Sequence, residues 1–212
     1  MLNVAVLVSG GGTNLQAILD AKAAGALPHA KIALVLASKP GVYALERASK
    51  AGVPGIVVAR KSYAAPEEYD AALLAALREH RIDVVVLAGF LSILGPSVIT
   101  AYSERILNVH PSLIPSFCGA GYYGLRVHEA ALAKGVKVTG ATVHFVNEVP
   151  DGGRILLQQA VDVLPGDTPE TLQKRVMEQA EWKILPKAID LIANGKVTVT
   201  DGIARVTDET TD

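Results

Sequence analysis

Cysteine is almost absent. The 212 residues contain one, Cys118, so no internal disulfide and no cysteine-built metal cluster can form, and a reducing compartment is expected. An excess of charge is missing too, with 20 Lys+Arg against 21 Asp+Glu and a formal net charge of −1. A polynucleotide or an anionic membrane surface finds no electrostatic footprint here, whereas a small phosphorylated ligand needs only a local site. Long apolar runs are also lacking. The opening segment Met1–Val8 has no basic stretch before it, and Ser9-Gly10-Gly11-Gly12 cuts it short, unlike a signal peptide. The longest apolar stretch, Val84 to Gly95, falls short of the roughly 20 residues that span a bilayer. No repeat and no low-complexity tract is present, so solenoid architectures fall away. A soluble cytoplasmic chain with no nucleic-acid or membrane partner is expected, and half of its residues are hydrophobic, enough for a sizeable core.

What is present is a rhythm. Asn3–Val8 reads as a buried strand and Asn14–Ala24 as a helix. Lys31–Ser38 and Val42–Ala51 repeat the pair, Gly55–Val58 and Pro66–His80 repeat it again, and Ile82–Ala88 is a fourth strand. Continuous apolar strands alternating with helices predict an α/β fold: a doubly wound, mostly parallel sheet with helices on both faces. Ile106–His110 reads as a fifth strand. Pro111 to Leu125 is then a loop rich in Pro, Gly and Tyr, long enough to be functional or mobile. Val138–Val146 and Arg154–Val163, joined by Asn147–Gly153, predict an antiparallel hairpin extension. Asp167, with Glu170 three residues on, predicts a capped helix running to about Asn194, with Gly195 as its stop. Lys196–Thr207 suits a small hairpin around Asp201-Gly202, followed by an acidic, disordered tail. The organisation expected is a single catalytic domain over 1–195 and a hairpin with its tail over 196–212.

Two segments carry chemistry. Ser9-Gly10-Gly11-Gly12-Thr13-Asn14 joins the first strand to the first helix, where glycines bring backbone N–H groups close to a ligand and the helix N-terminus favours an anion. A phosphate suits Gly12, Thr13 and Asn14, although a plain glycine turn capped by Thr13 or Asn14 would read alike. The loop lacks the Gly-Lys-Ser/Thr ending of a P-loop and the third glycine of a dinucleotide fingerprint, which favours a mononucleotide-like phosphate over a dinucleotide. The second segment is Asn108-Val109-His110-Pro111. Residues two apart on a strand share a face, so a carboxamide able to donate to an oxyanion stands beside an imidazole able to trade a proton at the carboxyl edge of the sheet. Asp151, in Asp151-Gly152-Gly153, is the distant partner expected to raise the His110 pKa, though Asp-Gly-Gly is also ordinary turn sequence. His144 is either a wall of the site or a hydrogen-bonded core residue, while His29, His80 and His128 read as solvated. No His/Asp/Glu spacing suggests a metal, and no Ser or Cys stands in a nucleophile elbow.

Taken together, these segments resemble the phosphoribosylglycinamide formyltransferases, folate-dependent enzymes of purine synthesis. The matching stretches are 8–18, 85–90, 107–115, 140–146, Asp151-Gly152-Gly153 and the helix from Asp167 to Pro186, in the family's order over roughly 1–195. Asn108-Val109-His110-Pro111-Ser112-Leu113-Ile114-Pro115 is specific to folate-dependent formyl transfer. The resemblance implies the formyltransferase fold, with Asn108, His110 and Asp151 as the catalytic trio. Gly12, Thr13 and Asn14 would hold the substrate 5-phosphate and Glu181 its ribose. Leu91, Ser92, Ile93 and Leu94, with Asn108 and the backbone around Val146, would line the pterin pocket. It implies small-molecule partners (glycinamide ribonucleotide and the co-substrate 10-formyltetrahydrofolate), no metal, and a monomer or homodimer. The implied reaction is direct attack of the glycinamide amine on the formyl carbon. Protonated His110 and the Asn108 amide would steady the tetrahedral oxyanion, and Asp151 would keep His110 charged. An Ile114–Pro115 cis bond is expected on the same ground.

Four places depart from the family pattern. Ser92 stands where Arg is frequent, Arg154 replaces a proline, the segment Phe117–Leu125 is long, and the interval from Arg175 to Glu181 has one extra residue, with Trp182 where His is common. The rival readings are a formyltetrahydrofolate deformylase, a tRNA formyltransferase and a non-enzymatic nucleotide-binding module. The first two are expected to carry an additional domain beyond such a chain, and the third has no use for the trio.

Overall fold

The computed structural model describes residues 1–207, which divide into two compact units, Met1–Asn108 and the chain from Val109 onward. The first unit is built on five parallel strands: β1 (Leu2–Val8), β2 (Ala30–Ala37), β3 (Gly55–Val57), β4 (Val84–Leu87) and β5 (Ile106–His110), of which the residues up to Asn108 belong to this unit. β1 pairs with both β2 and β4, β2 continues to β3, and β4 to β5. The helices are α1 (Thr13–Ala23), α2 (Tyr43–Lys50), α3 (Pro66–Glu79) and α4 (Pro96–Ala101). The chain winds outward from β1 to β3, then returns to the far side of β1 as β4. Right-handed crossovers therefore place α1 and α2 on one face and α3 and α4 on the other. The packing agrees, since α1 lies against α2 and α3 against α4. Val4 to Val8 are fully buried, which explains why β1 reads as an unbroken apolar run.

The second unit contains α5 (Leu125–Lys134), strands β6 (Val138–Phe145) and β7 (Ile155–Asp162), α6 (Pro169–Val176) and α7 (Trp182–Ala193). β6 and β7 form the expected antiparallel hairpin. β8 (Val197–Thr200) and β9 (Ile203–Val206) form the terminal one, with Asp201 and Gly202 both at positive φ, as a tight two-residue turn requires. The expected disorder of the acidic tail, residues 208–212, lies outside the described residues.

Three features correct the sequence reading. Thr168, not Asp167, caps α6 and exchanges hydrogen bonds with Thr171. Asp167 instead receives both guanidinium nitrogens of Arg175, Nη2 at 2.6 Å. The long helix is also not continuous, because Met177–Glu181 forms a π-turn between α6 and α7. Helices α4 and α5 went unread: α4 has only 6 residues, and α5 follows a glycine-rich loop that masks its start.

Candidate active site

The winding of the first unit reverses between β1 and β4, and the loops leaving the carboxyl ends of those strands flank a topological switch point, where open α/β sheets bind ligands. Ser9 ties the two loops together. Its amide donates to the Gly89 carbonyl at 3.1 Å and its hydroxyl accepts from the Leu91 amide at 2.9 Å. The glycine segment thus lies beside Leu91–Leu94. Leu91 and Ile93 are 66% and 86% exposed, an unusual setting for large aliphatics, while Leu94 is buried and Ser92 half-buried. Gly12, in the left-handed region at φ 73°, is the N-cap of α1, so neither Thr13 nor Asn14 takes that role. Thr13 opens the helix exposed to solvent, and Asn14 is buried in its first turn.

Asn108 and His110 fall on the same side of β5 by its pleat. In the second unit the chain then doubles back across His110. The loop 111–124 contains the expected cis Ile114–Pro115 bond, and Thr142 on β6 pins it by accepting from the Ile114 amide at 3.1 Å and donating to the Ser112 carbonyl at 2.7 Å. This places the Phe117 carbonyl 2.8 Å from Nε2 of His110. Asp151, at the tip of the β6–β7 hairpin with φ 54°, brings Oδ2 to 3.5 Å from Nδ1 of His110. The same oxygen accepts from the Gly119 amide at 2.8 Å, and Oδ1 lies 3.6 Å from Nε2 of His144. His144 therefore belongs to the site as well as to the core: it is 2% exposed, with Nδ1 2.9 Å from the Phe145 carbonyl oxygen.

These surroundings set the protonation states. Burial pushes the His110 imidazole below its ordinary value; the Phe117 carbonyl and the Asp151 carboxylate pull upward without overcoming it, and His144 adds to the depression. The expectation that Asp151 raises His110 is right for that pair but wrong for the net direction. Burial pulls the Asp151 carboxyl up, yet hydrogen bonds from His144 and the Gly119 amide, with the neighbouring imidazoles, hold it below the usual carboxylate value. His128 corrects the reading that it is solvated: it is fully buried on α5, and burial, with His110 nearby, pushes it down to about 4.

The comparisons with known proteins decide the family. The formyl transferase family matches residues 2–189. The phosphoribosylglycinamide formyltransferase of Haemophilus influenzae is 41% identical over 204 residues, 96% of this chain and 93% of that protein. This chain belongs to the formyl transferase family. The trifunctional purine biosynthetic protein adenosine-3 of Drosophila melanogaster is also 41% identical, over 95% of this chain, which spans only 14% of that protein's length. Among solved structures, the glycinamide ribonucleotide transformylase 1 of Symbiobacterium toebii superimposes with a TM-score of 0.92 at 42% identity, covering 98% of this chain and 95% of that one. The fold is thus the mostly parallel formyltransferase sheet with its antiparallel hairpin.

In this formyl transferase the remaining expected residues lie as follows. Glu181 is buried at the end of the π-turn. A π-turn is what one residue inserted into an α-helix produces, so it is where the extra residue expected between Arg175 and Glu181 would be taken up. Val146 is half-buried just beyond β6, and Arg154 is exposed. Ser9, Phe117 and Gly119 were missed as site residues. The last two act through backbone atoms, which leave no mark in side-chain chemistry. His144, which the sequence left open as a wall of the site or a core residue, shares the pleat face of Thr142 at the root of the hairpin that carries Asp151.

Proposed function

We propose that this formyl transferase moves the formyl group of 10-formyltetrahydrofolate to the amine of 5-phosphoribosylglycinamide, in the cytoplasm and within purine synthesis. Residues 1–195 form the catalytic domain. The observation that carries this reading is the His110–Asp151 approach of 3.5 Å in a buried setting, with a carbonyl facing the other imidazole nitrogen.

Both neighbours of His110 are hydrogen-bond acceptors, so the imidazolium is the form whose two N–H groups find partners, while burial keeps the resting ring neutral above its ordinary value. A ring in that balance takes up a proton as negative charge develops beside it. As the glycinamide nitrogen bonds to the formyl carbon, His110 accepts the proton that nitrogen sheds, and the Asn108 amide donates to the oxyanion. Asp151 steadies the imidazolium until the carbon–N10 bond breaks and the proton passes to N10. The Gly12, Thr13 and Asn14 segment receives the 5-phosphate, and Glu181 the ribose. Leu91, Ser92, Ile93, Leu94 and Val146 receive the pterin, the exposed Leu91 and Ile93 supplying apolar contact for a flat ring. No metal is required.

The test is formyl transfer by the purified chain, followed as appearance of the formylated amide and not merely of formate. His110→Ala and Asp151→Asn each lower kcat by about two orders of magnitude or more while the protein stays folded. Near-normal turnover in either variant overturns the assignment of roles, and release of formate alone overturns the acceptor.

A further inference from the structure

We propose that Arg47 is a positioning residue that aims the amides of the glycine loop at the substrate phosphate. The inference rests on the reading of that loop as the phosphate site and adds the element that gives it direction. Arg47 stands on α2, half-buried, and donates from Nε to the Gly11 carbonyl at 2.8 Å and from Nη1 to the Gln16 side-chain oxygen at 2.8 Å. Its guanidinium also lies over the Tyr43 ring, 4.8 Å from the centroid. One residue earlier in the loop, the Gly10 carbonyl accepts from the Ala44 amide at 3.3 Å. Two successive carbonyls of the loop are therefore drawn towards α2.

The consequence follows from peptide geometry. In a trans peptide the C=O and the next N–H point in opposite directions. Holding the Gly10 oxygen on α2 turns the Gly11 amide away from α2, and holding the Gly11 oxygen on Arg47 turns the Gly12 amide the same way. Two adjacent N–H donors on one side of a turn, at the N-terminus of α1, form an anion cradle. Without Arg47 the Gly11–Gly12 peptide can rotate, because a glycine on each side resists little. Binding would then bear the cost of ordering it. Gly12 also allows α2 to come this close, since a Cβ there would lie 2.7 Å from Cβ of Ala44. The Arg47 charge adds a long-range attraction, which a control must separate from positioning.

The experiment titrates the whole chain with ribose 5-phosphate, reading the Gly11 and Gly12 amide resonances by NMR, and in parallel measures formyl-transfer kinetics. Arg47→Ala weakens ribose 5-phosphate binding about tenfold, and raises the KM for the phosphorylated substrate similarly with kcat little changed. Arg47→Lys, which can reach one acceptor but not span both, recovers part of the loss. Lys50→Ala removes an equal charge from the same helix, where the ammonium also faces Tyr43 at 5.5 Å, and leaves binding within about twofold. Unchanged binding in Arg47→Ala, or an equal loss in Lys50→Ala, overturns the proposal. If Arg47→Ala does not fold, Arg47→Lys with parental affinity overturns it, and an intermediate affinity supports it. A parent that binds ribose 5-phosphate through these amides but transfers no formyl group would defeat the functional reading and leave the role of Arg47 standing.

Discussion

Nε2 of His110 lies 2.8 Å from the carbonyl oxygen of Phe117. A carbonyl can only accept, so this nitrogen carries the proton, and in a neutral ring the lone pair of Nδ1 then faces the Asp151 carboxylate. The arrangement is electrostatically unfinished: two acceptors ask for a cation, and burial refuses it.

A titration reads this balance directly. In the ligand-free protein His110 loses its charge below the ordinary histidine value of 6.5. Asp151→Asn deletes a group that pulls the value up, so it shifts the midpoint further down. The value of kcat/KM, which reports the free enzyme, accordingly falls on the acid side as His110 becomes charged. Long-range proton–nitrogen NMR of the imidazole measures the midpoint in both proteins; an upward shift in Asp151→Asn contradicts the account.

The glycine loop offers a contrast between neighbours. Gly12 sits at φ 73°, and a Cβ on it would lie 2.7 Å from Cβ and 3.0 Å from Cα of Ala44, whereas one on Gly10 would meet nothing within 4 Å. Gly12→Ala therefore costs about 1–3 kcal/mol of stability, from the left-handed backbone and a displaced α2, and raises the KM for the phosphorylated substrate. Gly10→Ala costs less than about 0.5 kcal/mol. Urea unfolding of both variants checks the pair, and equal losses would disprove the steric argument.

At the hairpin tip the constraint is stricter. A Cβ on Gly153 would fall 1.6 Å from the Phe145 carbonyl oxygen, a backbone atom that cannot step aside, whereas on Gly152 it would meet the Val149 side chain at 2.7 Å. Gly153→Ala forces the β6–β7 tip open and carries Asp151 away from His110. It should lower stability by about 2 kcal/mol or more and remove activity at temperatures where the variant is still folded. Gly152→Ala meets Cβ and Cγ1 of Val149, which is 61% exposed and can shift outward with the turn, so it retains more of both. Thermal melts and turnover at matched folded fractions decide between them.

Much of this site was legible because its parts obey local rules. Unbroken apolar strands mark β1 and β4, a two-residue pleat pairs Asn108 with His110, and Asp151-Gly152-Gly153 marks a turn. The motif order supplied the long-range link that no periodicity could. What stayed hidden depends on tertiary environment. The net direction of the His110 shift is a contest between burial and charge, and only coordinates show how deeply the loop 111–124 covers the ring. His128 looked like a solvated helical residue, since nothing local distinguishes a histidine on the inner face of a short helix that the preceding loop had already obscured. The N-cap moved from Asp167 to Thr168 because Arg175, eight residues on, claims the Asp167 carboxylate.

His128 supplies a stability test independent of activity. It is fully buried on α5, and among the described residues neither ring nitrogen has a hydrogen-bond partner. Its value of about 4 against 6.5 for an exposed histidine means that the unfolded chain binds a proton the folded chain refuses. Stability from this group is complete above pH 6.5 and drains away as pH falls towards 4. Between pH 7 and 5 the linkage amounts to about 2 kcal/mol. His128→Leu, close in size and without a titrating group, should lose that much less over the same interval, other histidines contributing equally to both proteins. Urea unfolding of parent and variant at the two pH values gives the difference, and parallel losses would mean that α5 opens to admit the proton before the domain unfolds.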